Sequence, residues 1–199
     1  MLTPIYLFLV TGITAGEAPT HWFLPIDGEW QERVAGLFGN ALPEKNLFSN
    51  RSTPELMQNR HPLGLVNPEG DGACLPRALS LAIWGTQDNH QLLRDAMVDR
   101  MLEGPLPGDS RPRGEEFLQR MEQMRNYREY MGTEEIEAFA YLLQTPIFSC
   151  VKVECARGSR STQYVWQRMP HESTRLTVGN DRAIYIYFAN EHFQLVTKP

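Results

Sequence analysis

Apolar residues in the middle of the chain recur at intervals of three and four, the spacing that places them on one face of an α-helix. This pattern predicts helices over residues 74–84, 88–101, 115–130 and 133–143. Thr133 is predicted to cap the last of these. Two shorter helices are predicted nearer the N-terminus, one capped by Asp27 and one beginning at residues 53–55, where a proline follows a threonine.

The pattern changes after residue 146. Several short segments there are rich in Val, Ile, Tyr and Phe and are separated by turn residues, which predicts β-strands over residues 147–153, 164–169, 183–189 and 192–197. Helices followed by strands predict an α+β (α/β layered) domain, with a small β-sheet flanked by helices and completed by earlier segments. The apolar run over residues 5–10 is interpreted as a buried strand rather than a secretory signal, because no Lys or Arg precedes it.

Length and composition narrow the class of protein. The chain has 199 residues, enough for one domain, and 42% of them are hydrophobic, as in ordinary folded proteins. A net charge of −5 and the lack of a basic run argue against nucleic acid as a partner. The N-terminal apolar run is too short to span a bilayer, so no membrane partner is expected. Three cysteines favour a reducing compartment, the cytoplasm or a host cytosol, unless residues 5–10 belong to a signal peptide.

Cys74 is the candidate for nucleophilic chemistry, because it follows an Asp-Gly-Ala sequence and stands where the helix over residues 74–84 begins. The unpaired N–H groups and positive partial charge of a helix N-terminus stabilise a thiolate and can bind a developing oxyanion. A thiol nucleophile needs a base, and His192, at the start of the last predicted strand, is the best placed of the five histidines. Cys150 and Cys155 are interpreted as packing residues.

Three blocks of sequence resemble the motifs of the OTU (ovarian tumour) family of cysteine proteases, most of which are deubiquitinases. The first resembles the nucleophile motif, in which an Asp-Gly-x-Cys loop opens a helix. The second resembles the central helix, and the third resembles the closing block that contains the catalytic histidine. The blocks occur in the family's order, at residues 71–79, 131–140 and 190–193.

The resemblance implies a papain-related cysteine protease fold for residues 61–199. Residues 1–60 are then an N-terminal extension packed on that domain. The resemblance also carries over Asp71, Cys74 and His192 as active-site residues.

The residue that orients the imidazole of His192 stays open at this point. The family often has Asn or Asp two positions after the histidine, where this chain has Gln194. Residues two apart in a strand share a face, so Asn190 and Gln194 are both eligible, and Asp71 is a third candidate. Two further departures from the family pattern concern packing positions, Pro76 and Met131.

The function that the resemblance implies is that of a thiol isopeptidase, which cleaves ubiquitin or a ubiquitin-like modifier from lysine side chains. Such an enzyme needs no metal ion or organic cofactor. Two alternatives are kept: a catalytically weak or inactive ubiquitin-binding module with the same fold, and a viral-type protease that cuts a polyprotein.

Overall fold

The computed structural model describes residues 21–39, 47–48, 53–110, 112–154, 162–170 and 182–199, which form five helices and a five-stranded sheet. The helices are α1 (Gly28–Leu37), α2 (Cys74–Trp84), α3 (His90–Glu103), α4 (Glu115–Met124) and α5 (Thr133–Leu143). The strands are β1 (Gly64–Val66), β2 (Ile147–Glu154), β3 (Thr162–Met169), β4 (Ile184–Ala189) and β5 (His192–Lys198). The α+β prediction is confirmed, whereas the strand predicted over residues 5–10 lies outside the described residues.

The strands are ordered β1-β5-β4-β2-β3 in the sheet, and β2 pairs parallel with β4 while the other neighbours are antiparallel. The short edge strand β1 supplies the earlier segment that the sequence required but did not locate. Its register with β5 pairs Val66 with Leu195. This pairing brings the chain just before α2 alongside the start of β5.

The core lies on both faces of the sheet. On one face, α2 is apolar around almost its whole circumference and packs between the sheet and the other helices, with Trp30 and Val34 of α1 in the same cluster. On the other face, Phe23 and Leu56 cover Tyr185 and its neighbours in the sheet. The described residues before position 61 therefore contribute to both clusters.

Two predictions about where helices begin are wrong. Residues 53–55 do not begin a helix, because Phe23 donates its N–H to the Pro54 carbonyl and Leu56 donates to the His21 carbonyl, which forms a β-bridge instead. Thr133 is the first residue of α5 rather than its cap. Gly132 occupies the cap position, and its N–H donates to the buried Glu135 carboxylate at 2.7 Å.

None of the helices in the described part of the chain has the length and apolar character needed to cross a bilayer.

Candidate active site

The nucleophile candidate Cys74 is the first residue of α2, as the sequence predicts, and residues 69–73, the nucleophile loop, lead into it. Within this loop Gly72 has a φ of 92°, a left-handed conformation that residues with side chains rarely adopt. A Cβ atom at this position would also collide with the carbonyl oxygen of Arg128. Glycine therefore lets the nucleophile loop pack directly against the segment that follows α4.

A buried arginine ties the nucleophile loop to that segment. The side chain of Arg94, in α3, is fully buried and donates hydrogen bonds to four main-chain carbonyl oxygens. The acceptors are Met124 at 2.8 Å, Glu129 at 2.9 Å, Tyr127 at 3.2 Å and Gly72 at 3.3 Å. These contacts explain why α4 ends at Met124 rather than at residue 130, since the carbonyls beyond it turn towards the guanidinium.

Asp71 fixes the geometry of the nucleophile loop. Its Oδ1 accepts the Ala73 N–H at 3.0 Å, and its carboxylate pairs with Arg77, one turn into α2, at 2.6 Å. The hydrogen bonds from Arg77 are the main reason that the pKa of Asp71 is lowered from 3.8 to about 2. Asp71 is therefore ionised, and its contacts with Ala73 and Arg77 hold the start of α2 in place. It makes no hydrogen bond to His192.

The pKa of the Cys74 thiol is raised, mainly because the side chain is buried. Backbone N–H groups of Phe193, Leu75 and Cys74 itself act in the opposite direction, and the charge of Asp71 adds to the increase. The N–H groups at the start of α2 lower the pKa of Cys74, as expected at a helix N-terminus, but desolvation of the buried thiol outweighs them. Burial therefore disfavours the thiolate form of Cys74 in the free protein.

His192 is the first residue of β5, and its Nε2 lies 2.7 Å from Oδ1 of Asn67. A carbonyl oxygen can only accept a hydrogen bond, so with the Asn67 amide in this orientation Nε2 is the donor and Nδ1 is the acceptor nitrogen of a neutral ring. The Nδ1 edge of the ring faces the nucleophile loop, since a Cβ atom built on Gly70 would lie 3.8 Å from Nδ1. The ring thus presents its proton acceptor towards the loop that ends at Cys74.

The Cys74 thiol lies close to the first residues of β5, the strand that begins at His192. The N–H of Phe193, the residue after His192, interacts with the Cys74 sulfur and lowers its pKa. Within the described residues, no hydrogen bond joins the sulfur to either ring nitrogen of His192. Catalytic pairs are often longer in unliganded proteins and shorten when substrate binds.

Asn190 and His192 do not lie on the same face of a strand, because the chain between them is not extended. Asn190 and Glu191 have φ values of 52° and 59° and form the two-residue turn between β4 and β5, flanked by the pair Ala189 and His192. The alternation of side chains stops at this turn, so Asn190 projects into solvent and makes no hydrogen bond to the ring. Its structural role is to allow the hairpin.

Asn67 is the residue that the sequence analysis did not identify. It follows β1 directly, and continuing the pairing of Val66 with Leu195 places Asn67 opposite Gln194 and diagonal to His192. Gln194 donates to the same Asn67 oxygen at 3.0 Å, rather than contacting the ring. A polar residue after a three-residue edge strand is a weak signal, and the register of β1 against β5 was needed to find it.

The aromatic residue Tyr130 forms a neighbouring part of the same surface. Its ring stacks on that of Phe193, with centroids 6.1 Å apart, and it is 43% exposed. Burial of the hydroxyl, together with the nearby Cys74 and Glu191, raises its pKa. Tyr130 thus stands beside the thiol with one face of its ring packed.

No group of side chains in the described residues could hold a metal ion. Cys150 lies buried in β2, where burial raises its pKa to about 12, and Cys155 lies outside the described residues. The interpretation of Cys150 as a packing residue agrees with this position.

Comparison with known proteins extends the resemblance. A family model described as OTU-like cysteine protease matches residues 69–193. No curated protein sequence gives a significant match. A solved structure of an OTU deubiquitinase from Wolbachia pipientis wMel, bound to ubiquitin, is similar with a TM-score of 0.50 and 11% identity, over 67% of this chain and 94% of that chain. The structure of the OTUD1 OTU domain is also similar, with a TM-score of 0.49 and 18% identity, over 66% of this chain and 83% of that chain. The viral OTU domain protease from Qalyub virus is similar with a TM-score of 0.48 and 17% identity, over 70% of this chain and 86% of that chain.

The matched segment covers more than half of the 199 residues and includes the nucleophile loop, α2 and the start of β5. The Wolbachia structure shares the α+β fold. On these grounds the chain belongs to the family of OTU-like cysteine proteases.

Proposed function

We propose that this protein is a thiol isopeptidase that removes ubiquitin or a ubiquitin-like modifier from lysine side chains. The observation that carries the proposal is the orientation of His192, whose Nε2 is held by Asn67 while Nδ1 faces the loop that ends at Cys74. A ring held in this way offers a proton acceptor on the side of the thiol. Ubiquitin is the proposed partner because the Wolbachia pipientis deubiquitinase of similar fold is described as bound to it.

The first half of the proposed reaction is acyl transfer to Cys74. His192 Nδ1 takes the thiol proton as the sulfur attacks the carbonyl carbon at the C-terminus of the modifier, and the carbonyl electron pair moves onto oxygen. When that pair returns, the bond to the lysine nitrogen breaks and the imidazolium gives its proton to the leaving amine. A thioester between Cys74 and the modifier results.

The second half is hydrolysis of that thioester. Neutral His192 takes a proton from a water molecule as the water oxygen attacks the thioester carbonyl, and the proton then returns to the departing sulfur. The raised pKa of Cys74 suits this scheme, because the thiol needs the base at each turnover and is not a free thiolate between turnovers.

The start of α2 supplies the proposed oxyanion site. The Ala73 N–H is already bonded to Asp71, so it does not belong to the site. The N–H groups of Gly72 and Cys74 are the proposed donors: that of Cys74 is the first N–H of α2 and has no acceptor within the helix, and that of Gly72 lies in the loop just before it.

The proposed catalytic domain covers residues 61–199, with residues 1–60 as an extension packed on it. The described part of the extension supports its packing on the domain, because Trp30 donates its indole N–H to Thr145 at 2.7 Å and Phe23 packs against Tyr185.

A ubiquitin probe with a C-terminal electrophile tests the proposal. We expect one covalent adduct with the unmodified protein, none with Cys74→Ala, and an undiminished adduct with Cys150→Ala, whose thiol is buried and has a raised pKa. Turnover of a ubiquitin–lysine isopeptide should follow the same order. Absence of an adduct from the folded, unmodified protein, or labelling that survives Cys74→Ala, would contradict an enzyme based on Cys74.

A second candidate function is a ubiquitin-binding module without activity, which the lack of a hydrogen bond between the Cys74 sulfur and His192 in the described residues favours. Ubiquitin binding without probe labelling would support this alternative.

A further inference from the structure

Gln194 lies opposite Asn67 where β1 meets β5, and its position is set by the sheet itself. The register that pairs Val66 with Leu195 makes Asn67 and Gln194 cross-strand neighbours, and His192 lies on the same face two residues before Gln194. The Asn67 Oδ1 atom accepts from both His192 Nε2, at 2.7 Å, and Gln194 Nε2, at 3.0 Å. One oxygen thus receives two donors from the same strand.

We propose that Gln194 is a positioning residue that keeps the oxygen end of the Asn67 amide turned towards His192. This inference rests on the proposed function, and it adds a residue that lies outside the segment matched by the family model. An asparagine amide has an acceptor end and a donor end of nearly the same shape, so rotation by half a turn exchanges them. In the orientation that Gln194 has in the structure, its donor favours the Asn67 oxygen inward, because rotating the Asn67 amide alone would place two donors face to face.

The orientation matters because it sets which ring nitrogen carries the proton. With the oxygen inward, Nε2 is protonated and Nδ1 can accept the Cys74 proton. With the amide rotated, Nε2 must accept, and the ring proton moves to Nδ1, on the side of the nucleophile loop. That tautomer cannot act as the base for the thiol, and the rotated amide also opposes formation of the imidazolium.

A double-mutant comparison separates this role from simple packing. Gln194→Met keeps the length of the side chain and removes its donor, and Asn67→Asp replaces the amide with a carboxylate whose two oxygens are both acceptors. Gln194 is half-buried, so Gln194→Met is expected to fold both alone and together with Asn67→Asp. Turnover of a ubiquitin–lysine isopeptide is measured for the four combinations.

We expect Gln194→Met alone to lower kcat about fivefold to tenfold, with little change in KM. A decrease of this size corresponds to the loss of one hydrogen bond. In the Asn67→Asp background the same substitution should lower kcat less than twofold, because a carboxylate needs no orientation. Equal losses in the two backgrounds, or no loss in either, would overturn the proposal. Thr197→Val is the matched control, since Thr197 also bonds across from β5 to β1, at Gly64, but does not reach His192.

Nitrogen NMR of the His192 ring provides a readout that does not depend on activity. We expect the Nε2-protonated tautomer in the unmodified protein and a measurable share of the Nδ1-protonated tautomer in Gln194→Met, with the signal assigned by His192→Gln. An unchanged tautomer would overturn the proposal. If the unmodified protein shows no labelling by the ubiquitin probe but the tautomer shifts as expected, the proposed function fails and the role of Gln194 stands.

Discussion

The two halves of the candidate site are held in place by different interactions. On the cysteine side, the nucleophile loop is fixed by an ion pair between Asp71 and Arg77 and by the fully buried guanidinium of Arg94. On the histidine side, the ring stands at the beginning of β5 and is held by the neutral amide of Asn67, which is exposed. Charged groups and burial maintain the first half, and a chain of amide hydrogen bonds at the surface maintains the second.

This difference predicts how the halves respond to substitution. Removing a buried charged group leaves its former partners without hydrogen bonds in the interior, so it costs folding free energy. Removing an exposed amide leaves partners that water can solvate, so it affects the orientation of His192 more than the stability of the fold. Three substitutions test the contrast.

Arg94→Met should have the largest effect, because four main-chain carbonyls lose a shared donor. We expect the free energy of unfolding to fall by about 2–4 kcal/mol, measured by urea denaturation. Arg100→Met, on the same helix but outside this network, is the control and should change stability by less than about 0.5 kcal/mol. Similar stability of the two variants would show that the guanidinium does not hold the two segments together.

Asn67→Ala should produce the opposite result, with activity lost and stability kept. We expect kcat to fall about tenfold to a hundredfold, because the His192 ring loses the acceptor that fixes its tautomer, while the urea midpoint stays close to that of the unmodified protein. Asn67→Asp retains the acceptor and should keep kcat within about threefold. A large fall in the urea midpoint with Asn67→Ala would remove the contrast between the two halves.

The smallest effect concerns pH. The pKa of Asp71 is lowered to about 2 in the folded protein, so this carboxylate contributes stability above its ordinary pKa of 3.8 and loses that contribution as the pH falls through about 2. Arg77→Met should therefore lower the free energy of unfolding by about 1–2 kcal/mol at pH 7.

The difference between Arg77→Met and the unmodified protein should then decrease as the pH is lowered from 4 to 2, because protonated Asp71 no longer pairs with Arg77. Urea denaturation of both proteins at several pH values measures this difference in the free energy of unfolding. A difference that stays constant down to pH 2 would mean that Arg77 acts through packing rather than through the ion pair.

The sequence alone located the elements whose patterns are local. The apolar spacing of α2 and α5, the four later strands and the position of Cys74 at a helix start all follow from neighbouring residues. The orienting partner of His192 does not, because Asn67 reaches the ring through the register of β1 against β5, across 125 positions of sequence. Asn190 was a candidate on the assumption of an extended chain, and two positive φ values show a turn instead.

The same distinction explains the length of α4. Periodicity predicts that this helix continues to residue 130, since nothing in the local sequence signals that Arg94, from a different helix, binds the carbonyls of Met124, Tyr127 and Glu129. The end of a helix depends on where its last carbonyls find donors, and here the donor is contributed by tertiary structure.

The choice of acceptors by Arg94 also has a consequence for evolutionary variation. All four are main-chain atoms, which every amino acid possesses, and three of them lie in residues 124–129, so the hold of Arg94 on this segment does not depend on the side chains there. The exposed Tyr127 and Tyr130, on or next to this path and beside the nucleophile loop, can be exchanged without loosening the connection. Homologues that keep the arginine would then be free to diversify this surface, and libraries built on it would start from a fixed backbone.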